Sequence, residues 1–527
     1  MTAWDLAFGS GWVRMPAQEA RGRVALIEAG SPGLNIYSHV AMGRGVALLA
    51  TVLRDAGWDA RAFIEDVSGK DSVDWDWVRG ADVVGFSTIT CTMPRTAELL
   101  ERVRTENPGA PIVLGGPEPT CRPDRSLSIG ADYVLRGEAE STLPRFLDAL
   151  TGRSAEPLAG IPGLVWRADG SLVEGPPFLQ LTREELDAVP LVDASLVHLA
   201  DRCSVAPVWR ARGCPQRCDF CEVCEIWPRY VTRDGERTVE ELVRAEDAGY
   251  RAAFLIDDNA AADKPAFKDL LRAVARRGFS GTLVTQIRAD AVLMRDGRLD
   301  RELLRLLKKA AGVTVVCVGV ESADDGNLEA LRKRMDASGM ARALRAMRRA
   351  GLLVHGMFMA LNSDTREIVR RNGEYARKYV TSLQYLFETP LPGTRRTARH
   401  EADGALLFER IEDLSLYDGM HVVVRPQRMA PVEMQGLVVE EYRRFYSSGR
   451  VVAAALRGAF ARFRRLTEGQ RESLARMRFP QRVKSWVRLH FEYKFAPVSF
   501  LAIGHRRIRE MLRDPGYLGF EARLRKL

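Results

Sequence analysis

Short apolar runs alternate with amphipathic segments through the first 150 residues. The apolar runs cover residues 24–27, 60–64, 83–86, 112–114 and 133–135, and each is bounded by Gly, Pro or Asp. Apolar residues at helical spacing lie between them at 45–56, 94–105 and, more weakly, 124–129. Strands of this length that alternate with helical crossovers predict a doubly wound parallel sheet in an α/β domain.

The same alternation returns after residue 200. Predicted strands cover residues 205–211, 252–257, 282–288, 314–321, 353–359 and 382–388. Amphipathic helices are predicted between them at 238–248, 264–277, 301–311 and 338–350. Six such units predict a partial (β/α)6 barrel, whose chemistry would lie at the carboxyl ends of the strands.

The remaining segments complete a five-part organisation. The predicted parts are an N-terminal extension (1–20), the first α/β domain (21–152), a linker with a small hairpin (153–200), the barrel (201–395) and a basic helical C-terminal domain (396–527). The linker is rich in Pro and Gly, and its hairpin would turn at Ala168-Asp169-Gly170. Helices of the tail are predicted at 437–447, 451–466, 483–491, 495–503 and 508–512.

Composition and charge narrow the class of protein. Of the 527 residues, 46% are apolar and 28% are charged, which is ordinary for a folded soluble protein. Residues 1–18 do not form a leader, and no run approaches the roughly 18 apolar residues of a membrane span, so we expect a cytoplasmic enzyme. The formal net charge of +9 is concentrated in residues 451–527, where 18 Lys and Arg face 6 Asp and Glu.

That basic tail has several explanations. A solvated helical surface is the commonest, and an anionic substrate or carrier, a membrane surface and nucleic acid are the others. No recognisable nucleic-acid module accompanies the charge, and aromatic residues are not interleaved with it, so no nucleic-acid partner is expected. Peripheral contact of the tail with a membrane stays open.

Three cysteines carry the strongest chemical signal. Cys214, Cys218 and Cys221 follow the first predicted barrel strand in C-x3-C-x2-C spacing. Three thiolates can hold three irons of a [4Fe-4S] cluster and leave the fourth iron open to a ligand. Cys224 permits a second register, because Cys218, Cys221 and Cys224 read as C-x2-C-x2-C.

Two structural roles compete with the cluster. A disulfide is disfavoured because structural disulfides are rare in the cytosol. A zinc site would normally need a second pair of Cys or His ligands at matched spacing. The remaining cysteines are scattered singly, at Cys91, Cys121, Cys203 and Cys317.

The cysteine motif resembles the signature of the radical SAM superfamily, in its Gly213-Cys214-Pro215 start and in Phe220 beside Cys221. The resemblance implies Cys214, Cys218 and Cys221 as cluster ligands and leaves Cys224 as a spare thiol. It also implies that S-adenosylmethionine (SAM) is bound near the cluster and at the later strand ends. The candidate SAM residues are Phe220, Gln286, Arg288, Glu321 and Ser322. Arg288 suits the SAM carboxylate because a guanidinium binds it with two hydrogen bonds.

Small and hydroxyl residues collect at the predicted strand ends of the first domain. The first turn lacks the G-x-G-x-x-G spacing of a dinucleotide site, which argues against NAD. The turn Gly-Gly-Pro-Glu-Pro-Thr at 115–120, followed by a strand ending in Gly-Glu, resembles the Rossmann-like cobalamin-binding domain of many radical SAM enzymes. The implied cobalamin contacts are Ser31, Gly33, Ser87, Thr88, Thr90, Gly115, Gly116, Pro117, Glu118, Gly137 and Glu138.

The sequence departs from many cobalamin domains at the cobalt ligand. It has no D-x-H-x-x-G motif, and His39 lies in a segment that does not match it. Cobalamin would therefore be held without a histidine from that motif. A domain that kept the fold and lost the cofactor is the alternative.

The resemblance as a whole implies a cobalamin-dependent radical SAM C-methyltransferase. A 5′-deoxyadenosyl radical would activate an unactivated carbon of a natural-product or lipid intermediate, and methylcobalamin would supply the methyl group. The alternatives are a cyclase, rearrangement or oxidation enzyme without methyl transfer, and a non-catalytic cobalamin or Fe-S sensor. A small-molecule or carrier-bound substrate and a low-potential flavodoxin or ferredoxin reductant are the expected partners.

Overall fold

The structure is a computed structural model that describes residues 20–32, 43–460, 471–472, 474–475 and 479–527. Gly33, His39 and nearly all of the predicted N-terminal extension lie outside the described residues. Within the described part, no helix has the length and apolarity needed to cross a membrane.

The first sheet has seven strands in the order β2-β1-β3-β4-β5-β6-β7. Its five parallel strands confirm the doubly wound prediction, and the change of direction falls between β1 and β3. The predicted hairpin is β6 and β7, which extend this sheet in antiparallel fashion instead of forming a separate connector. The bounds are β1 Arg23–Glu28, β2 Asp59–Ile64, β3 Val83–Ser87, β4 Ile112–Gly115, β5 Tyr133–Leu135, β6 Leu164–Ala168 and β7 Ser171–Glu174.

Helices cover both faces of this sheet, and each face has its own buried apolar cluster. All four central residues of β1 are buried, and such an uninterrupted buried run is typical of a strand covered on both sides. The helices are α1 Arg44–Asp55, α2 Glu65–Ser68, α3 Trp75–Arg79, α4 Met93–Glu106, α5 Pro117–Cys121, α6 Pro123–Ser128, α7 Thr142–Leu150 and α8 Arg183–Ala188.

The second sheet contains the six predicted barrel strands, all parallel, in the order β8-β11-β12-β13-β14-β15. The short strands β9 and β10 form a separate antiparallel pair. The bounds are β8 Val205–Val208, β9 Ala211–Arg212, β10 Val231–Thr232, β11 Ala252–Leu255, β12 Thr282–Ile287, β13 Val313–Glu321, β14 Leu353–Ala360 and β15 Ser382–Phe387.

The first barrel strand is shorter than the predicted 205–211. The backbone N–H groups of Arg210 and Ala211 both donate to Asp257 Oδ1, at 2.7 and 3.0 Å. This buried carboxylate, which follows β11, therefore draws the chain out of the sheet just ahead of the cysteines.

The barrel helices confirm the predicted periodicity, and the C-terminal helices pack beside the last strand. The tail contains one long helix, Phe479–Met511, where three segments were predicted, and it continues through Pro497. Part of the predicted helix 451–466 lies outside the described residues. The bounds are α9 Val223–Ile226, α10 Gly235–Asp247, α11 Lys264–Arg277, α12 Arg301–Lys309, α13 Asp325–Ala330, α14 Ala337–Arg349, α15 Arg366–Tyr379, α16 Arg395–Ala402, α17 Pro431–Phe445, α18 Ser448–Phe460, α19 Phe479–Met511 and α20 Pro515–Leu524.

Two tyrosines at the end of α17 protect the open edge of the barrel sheet. The hydroxyl of Tyr446 accepts from the N–H of Leu383 at 2.9 Å and donates to its carbonyl at 2.6 Å. The hydroxyl of Tyr442 accepts from the N–H of Tyr385 at 2.6 Å. No further strand among the described residues pairs with β15 on this side. The two tyrosine hydroxyls therefore satisfy its buried backbone groups.

We expect Tyr446→Phe to lower the free energy of unfolding by about 1–3 kcal/mol, because it leaves buried backbone groups of Leu383 unpaired. Urea denaturation of the apoprotein measures the loss. Tyr250→Phe is the matched control, since the buried Tyr250 hydroxyl has no hydrogen-bond partner among the described residues. Equal stability of the two variants would contradict this role for Tyr446.

Candidate active site

The three predicted cluster ligands lie on one loop between β9 and α9. Burial raises the pKa of the Cys221 thiol to about 12, and Cys214 and Cys218 add to that effect. The thiol pKa of Cys218 is also raised, first by burial, with Cys214 again contributing. The three thiols are therefore near enough to interact. All three are free and partly exposed.

The start of the loop depends on glycine. Gly213 has φ +79°, and a Cβ there would lie 2.3 Å from the carbonyl oxygen of Arg229. A side chain at this position would both strain the backbone and collide with it. The turn brings Cys214 next to the end of β11, where Asn259 Nδ2 lies 3.9 Å from Cys214 Sγ.

Cys224 faces the backbone of the same loop. Its thiol donates to the carbonyl of Gln216 at 3.2 Å and lies 3.5 Å from the carbonyl of Cys214. Within the described residues, no three His, Cys, Asp or Glu side chains converge on a single metal position. Thiolates that each bind a different iron need not converge in that way. The donor set thus fits a cluster held by three cysteines, with the fourth thiol supporting the loop.

Three charged side chains lie beside Cys218. Lys333 Nζ is 2.6 Å from Glu321 Oε1, and the backbone carbonyl of Lys333 accepts from Arg288 Nη2 at 2.8 Å. Arg288 also pairs with Asp290 at 2.9 Å. All of Lys333, Arg288 and Glu321 act electrostatically on the Cys218 thiol. Arg288 and Glu321 are among the candidate SAM residues predicted from the sequence, whereas Lys333 is not.

Strained backbone holds this group. Glu321 ends β13 with φ +62°, at an irregularity in its pairing with β14. Lys333 is only 6% exposed, while both of its neighbours, Arg332 and Arg334, have φ near +55°. Residues other than glycine rarely adopt this conformation, and such strain collects at functional sites. The turn directs Lys333 inward while the flanking arginines stay exposed.

The other candidate SAM residues are placed unequally. Phe220 packs against an apolar group of Leu331, Met359 and Leu361 beside the loop. Gln286 is partly exposed near the end of β12. Ser322 is fully buried, and its hydroxyl donates to Asn372 Oδ1 at 3.3 Å. The structure therefore gives Ser322 a supporting contact beneath the strand end, which differs from the predicted contact with SAM.

A cavity of about 390 Å³ lies between the carboxyl ends of the two sheets. It opens at the switch point between β1 and β3, where doubly wound sheets bind ligands. Six predicted cobalamin residues line it, namely Ser87, Gly115, Gly116, Pro117, Gly137 and Glu138. Its opposite wall comes from the barrel and includes Trp209, Arg212, Ile226, Trp227, Ile256 and Asp258.

The glycine turn gives the cavity a wall of bare backbone. Gly116 has φ +104°, and a Cβ there would lie 2.7 Å from the carbonyl oxygen of Thr88. Glycine is therefore required for the turn to pack against the backbone of Thr88, and it leaves no side chain at this point of the cavity wall. This cradle and the apolar lining fit the predicted cobalamin site.

Four predicted cobalamin residues do not line the cavity. The Ser31 hydroxyl donates to Asp66 at 2.6 Å, and Thr88 contacts the hydroxyl of Thr96. Thr90 donates to Glu118 at 2.6 Å, and the buried Glu118 also pairs with Arg125. The polar groups of these four side chains are paired with other residues of the first domain. Their hydrogen bonds therefore stabilise the strand ends instead of facing the cavity.

Ion pairs join the two halves of the cavity. Arg212 of the barrel reaches Glu138 of the first domain at 2.6 Å and also pairs with Glu140. In the opposite direction, Arg44 at the start of α1 reaches Glu241 of α10 at 2.9 Å. Burial raises the pKa of Glu138, whereas at Glu140 the attraction of Arg212 outweighs burial and lowers the pKa.

Trp209 is the centre of this junction. The guanidinium groups of Arg44, Arg212 and Arg233 lie 5.0, 4.7 and 4.2 Å from the centre of its ring. Trp209 is 2% exposed, so these cation–π contacts are largely shielded from water. Arg212 stands two residues before Cys214, and the junction therefore ties the cysteine loop directly to the first domain.

Two family models match the chain. The B12 binding domain matches residues 38–147, and the Radical SAM superfamily matches residues 210–379. The chain therefore contains a B12-binding domain followed by a radical SAM domain. This confirms the family, the order of the two domains and the cofactors predicted from the sequence, namely a [4Fe-4S] cluster, SAM and cobalamin.

Relatives of known name include methyltransferases and cyclases. The hopanoid C-3 methylase of Methylococcus capsulatus is 29% identical over 78% of this chain and 78% of its own length. An uncharacterised methyltransferase of Pyrococcus horikoshii is 25% identical over 77% of this chain and 88% of its own. The anaerobic magnesium-protoporphyrin IX monomethyl ester cyclase of Rubrivivax gelatinosus is 25% identical over 76% of this chain and 73% of its own length.

Two solved structures share the fold over almost the whole of this chain. The methyltransferase TsrM of Kitasatospora setae, with cobalamin and a [4Fe-4S] cluster bound, matches with a TM-score of 0.62 at 16% identity, over 93% of this chain and 99% of that one. The cobalamin-dependent SAM radical enzyme OxsB matches with a TM-score of 0.64 at 11% identity, over 96% of this chain and 84% of that one. At these identities the likeness is one of fold.

We expect Arg212→Met to destabilise the apoprotein by about 3–5 kcal/mol, because it leaves the buried Glu138 and Glu140 without their cation. Thermal and urea unfolding measure the loss. The deficit should shrink as the pH is lowered from 8 to about 5, since the stranded carboxylates can then take up protons.

The control for this variant is Arg21→Met, which breaks a more exposed pair with Asp148 and should cost at most about 1 kcal/mol. An Arg212→Met protein as stable as this control at pH 8 would contradict the junction.

Proposed function

We propose that the protein is a cobalamin-dependent radical SAM C-methyltransferase that acts on an unactivated carbon of a natural-product or lipid intermediate. The observation that carries this proposal is the shared cavity. Predicted cobalamin residues line one wall, and α9, which begins two residues after Cys221, supplies Ile226 to the other wall. When bound, the cluster and SAM supply a 5′-deoxyadenosyl radical, and cobalamin supplies the methyl group.

The chain's own part at the cluster is to hold and orient. Cys214, Cys218 and Cys221 are the proposed cluster ligands. Lys333 and Arg288 place positive charge beside Cys218, and we assign them to the SAM carboxylate. Glu321 is already oriented by Lys333 and can accept hydrogen bonds from the SAM ammonium or ribose. Phe220 supplies an apolar surface next to these polar contacts.

The cavity walls favour an apolar substrate surface. Most side chains that line the cavity are aliphatic or aromatic, and they exclude water from the space between the two cofactor sites. Asp258 is a polar exception, and burial raises its pKa to about 6, with the neighbouring Asp257 adding to the effect. We assign Asp258 to a hydrogen bond with a hydroxyl or amine of the substrate. Similarity to the hopanoid C-3 methylase supports a lipid-like substrate.

A second candidate function is ring formation without methyl transfer. Three relatives are anaerobic magnesium-protoporphyrin IX monomethyl ester cyclases, at 24–26% identity. The same cavity could hold a substrate whose carbon is oxidised or cyclised. Methyl transfer is preferred because methyltransferases appear among both the sequence relatives and the structural neighbours.

The test is an anaerobic turnover with methyl-labelled SAM. Protein reconstituted with iron, sulfide and hydroxocobalamin should bind about four irons and one cobalt and form 5′-deoxyadenosine. With a lipid-like substrate panel, label should enter an extractable product as S-adenosylhomocysteine accumulates. Cys218→Ala is the control without a complete cluster. Formation of 5′-deoxyadenosine and a modified product without label transfer would favour the cyclase alternative.

We expect Lys333→Met to weaken SAM binding about 10- to 100-fold, because a charged hydrogen bond contributes about 1.5–3 kcal/mol. Equilibrium binding of SAM to the reconstituted protein, followed by the change in the cluster's electron paramagnetic resonance (EPR) signal, measures this. Lys333→Arg should restore most of the affinity. Lys309→Met, which removes an exposed lysine of α12, is the matched control and should bind SAM normally.

A further inference from the structure

A groove on the outside of the barrel collects positive charge. It lies between α12 and α14 and encloses about 550 Å³. No Asp or Glu is among its lining residues, all of which are described. Six exposed cations line it and are called here the arginine groove, namely Arg301, Arg305, Lys308, Arg342, Arg345 and Arg349.

The charges of the groove are poorly neutralised from within the chain. Among the described residues, Arg301, Arg305, Arg342 and Arg349 form no ion pair. The two acids that flank Arg301 pair with α11 instead: Asp300 and Glu302 both pair with Lys268, and Glu302 also pairs with Arg272. Like charges at helical spacing repel one another and destabilise the helices that carry them. A bound polyanion would remove that cost.

The groove is continuous with the surface above the cysteine loop. Arg342 also lines a neighbouring depression of about 510 Å³, together with Gln216, Asn259 and Arg334. Gln216 lies between Cys214 and Cys218, and its neighbour Arg217 is exposed. A partner seated in the arginine groove would therefore lie next to the depression that reaches the cysteine loop.

We propose that the arginine groove is the docking surface for an acidic electron-carrier protein of the flavodoxin or ferredoxin class. The carrier gives up one electron and is oxidised, the cluster receives that electron, and no proton or group moves. This inference rests on the cluster alone and is independent of methyl transfer. Complementary charge raises the rate of encounter more than it raises affinity, which suits a transient electron donor.

The groove fits other polyanions less well. No aromatic side chain lines it, so it has no surface on which an unpaired base could stack. The cations line the walls of a depression, whereas a bilayer surface is flat. A protein that projects acidic side chains into the groove is the occupant that matches its shape and charge.

The test compares two routes of cluster reduction in the reconstituted protein. The groove variant is Arg342→Glu/Arg349→Glu, and the control is Arg167→Glu/Arg370→Glu, which makes the same change of net charge at exposed sites elsewhere. Flavodoxin kept reduced by its reductase is one electron source, and a photoreduced deazaflavin is the other. Bleaching of the cluster absorbance gives the rate, and calorimetric titration of the reconstituted protein gives flavodoxin affinity. Co-sedimentation with RNA and with phosphatidylserine vesicles measures binding of the other polyanions.

At low ionic strength, we expect the groove variant to be reduced by flavodoxin about tenfold more slowly than the wild type. Reduction by deazaflavin should be unchanged, and the control should match the wild type. Salt at about 0.15 M should slow the wild type towards the variant.

Three outcomes would overturn the proposal. They are an unchanged flavodoxin rate and affinity in the groove variant, an equal slowing with deazaflavin, and a loss confined to the binding of RNA or of phosphatidylserine vesicles. The last outcome would assign the groove to those polyanions instead.

Discussion

The junction around Trp209 is the constraint on which the rest of the structure depends. Each domain sends an arginine into the other, Arg44 in one direction and Arg212 in the other, and each reaches a largely buried carboxylate. Buried charges without partners are very costly, so the two domains are stable together only in an arrangement that keeps both pairs. Because the cavity lies between the same two sheet edges, its shape is set by these pairs rather than by either domain alone.

The junction around Trp209 also fixes the position of the cysteine loop. Arg212 precedes the Gly213 turn, and the carboxylate of Asp257 holds the backbone just before it. On the far side of the loop, Glu321 and the turn around Lys333 adopt backbone conformations that only surrounding structure can maintain. Charged groups are thereby brought to Cys218 in a preorganised arrangement, which lowers the cost of binding a charged ligand there.

Charge on this protein is organised at two levels. By count of charged residues, the excess of Lys and Arg over Asp and Glu lies in the last 77 residues, and the rest of the chain has a formal net charge of about −3. The arginine groove nevertheless lies in that nearly balanced part, because the acids of the barrel helices pair with other cations and leave one face basic. Net charge over a segment therefore says little about the local field that a partner meets.

The sequence by itself determined the order of elements, the two parallel sheets and the cysteine motif, since these follow from local periodicity and from spacing along the chain. It also indicated the glycine turn at Gly116. Only the tertiary structure decided that the 164–174 hairpin extends the first sheet. It also decided that Thr88, Thr90 and Glu118 form hydrogen bonds inside the first domain instead of facing the cavity, and that Lys333 forms an ion pair with Glu321. Which partner a polar side chain chooses depends on distances between residues far apart in the chain, and local sequence carries no measure of those distances.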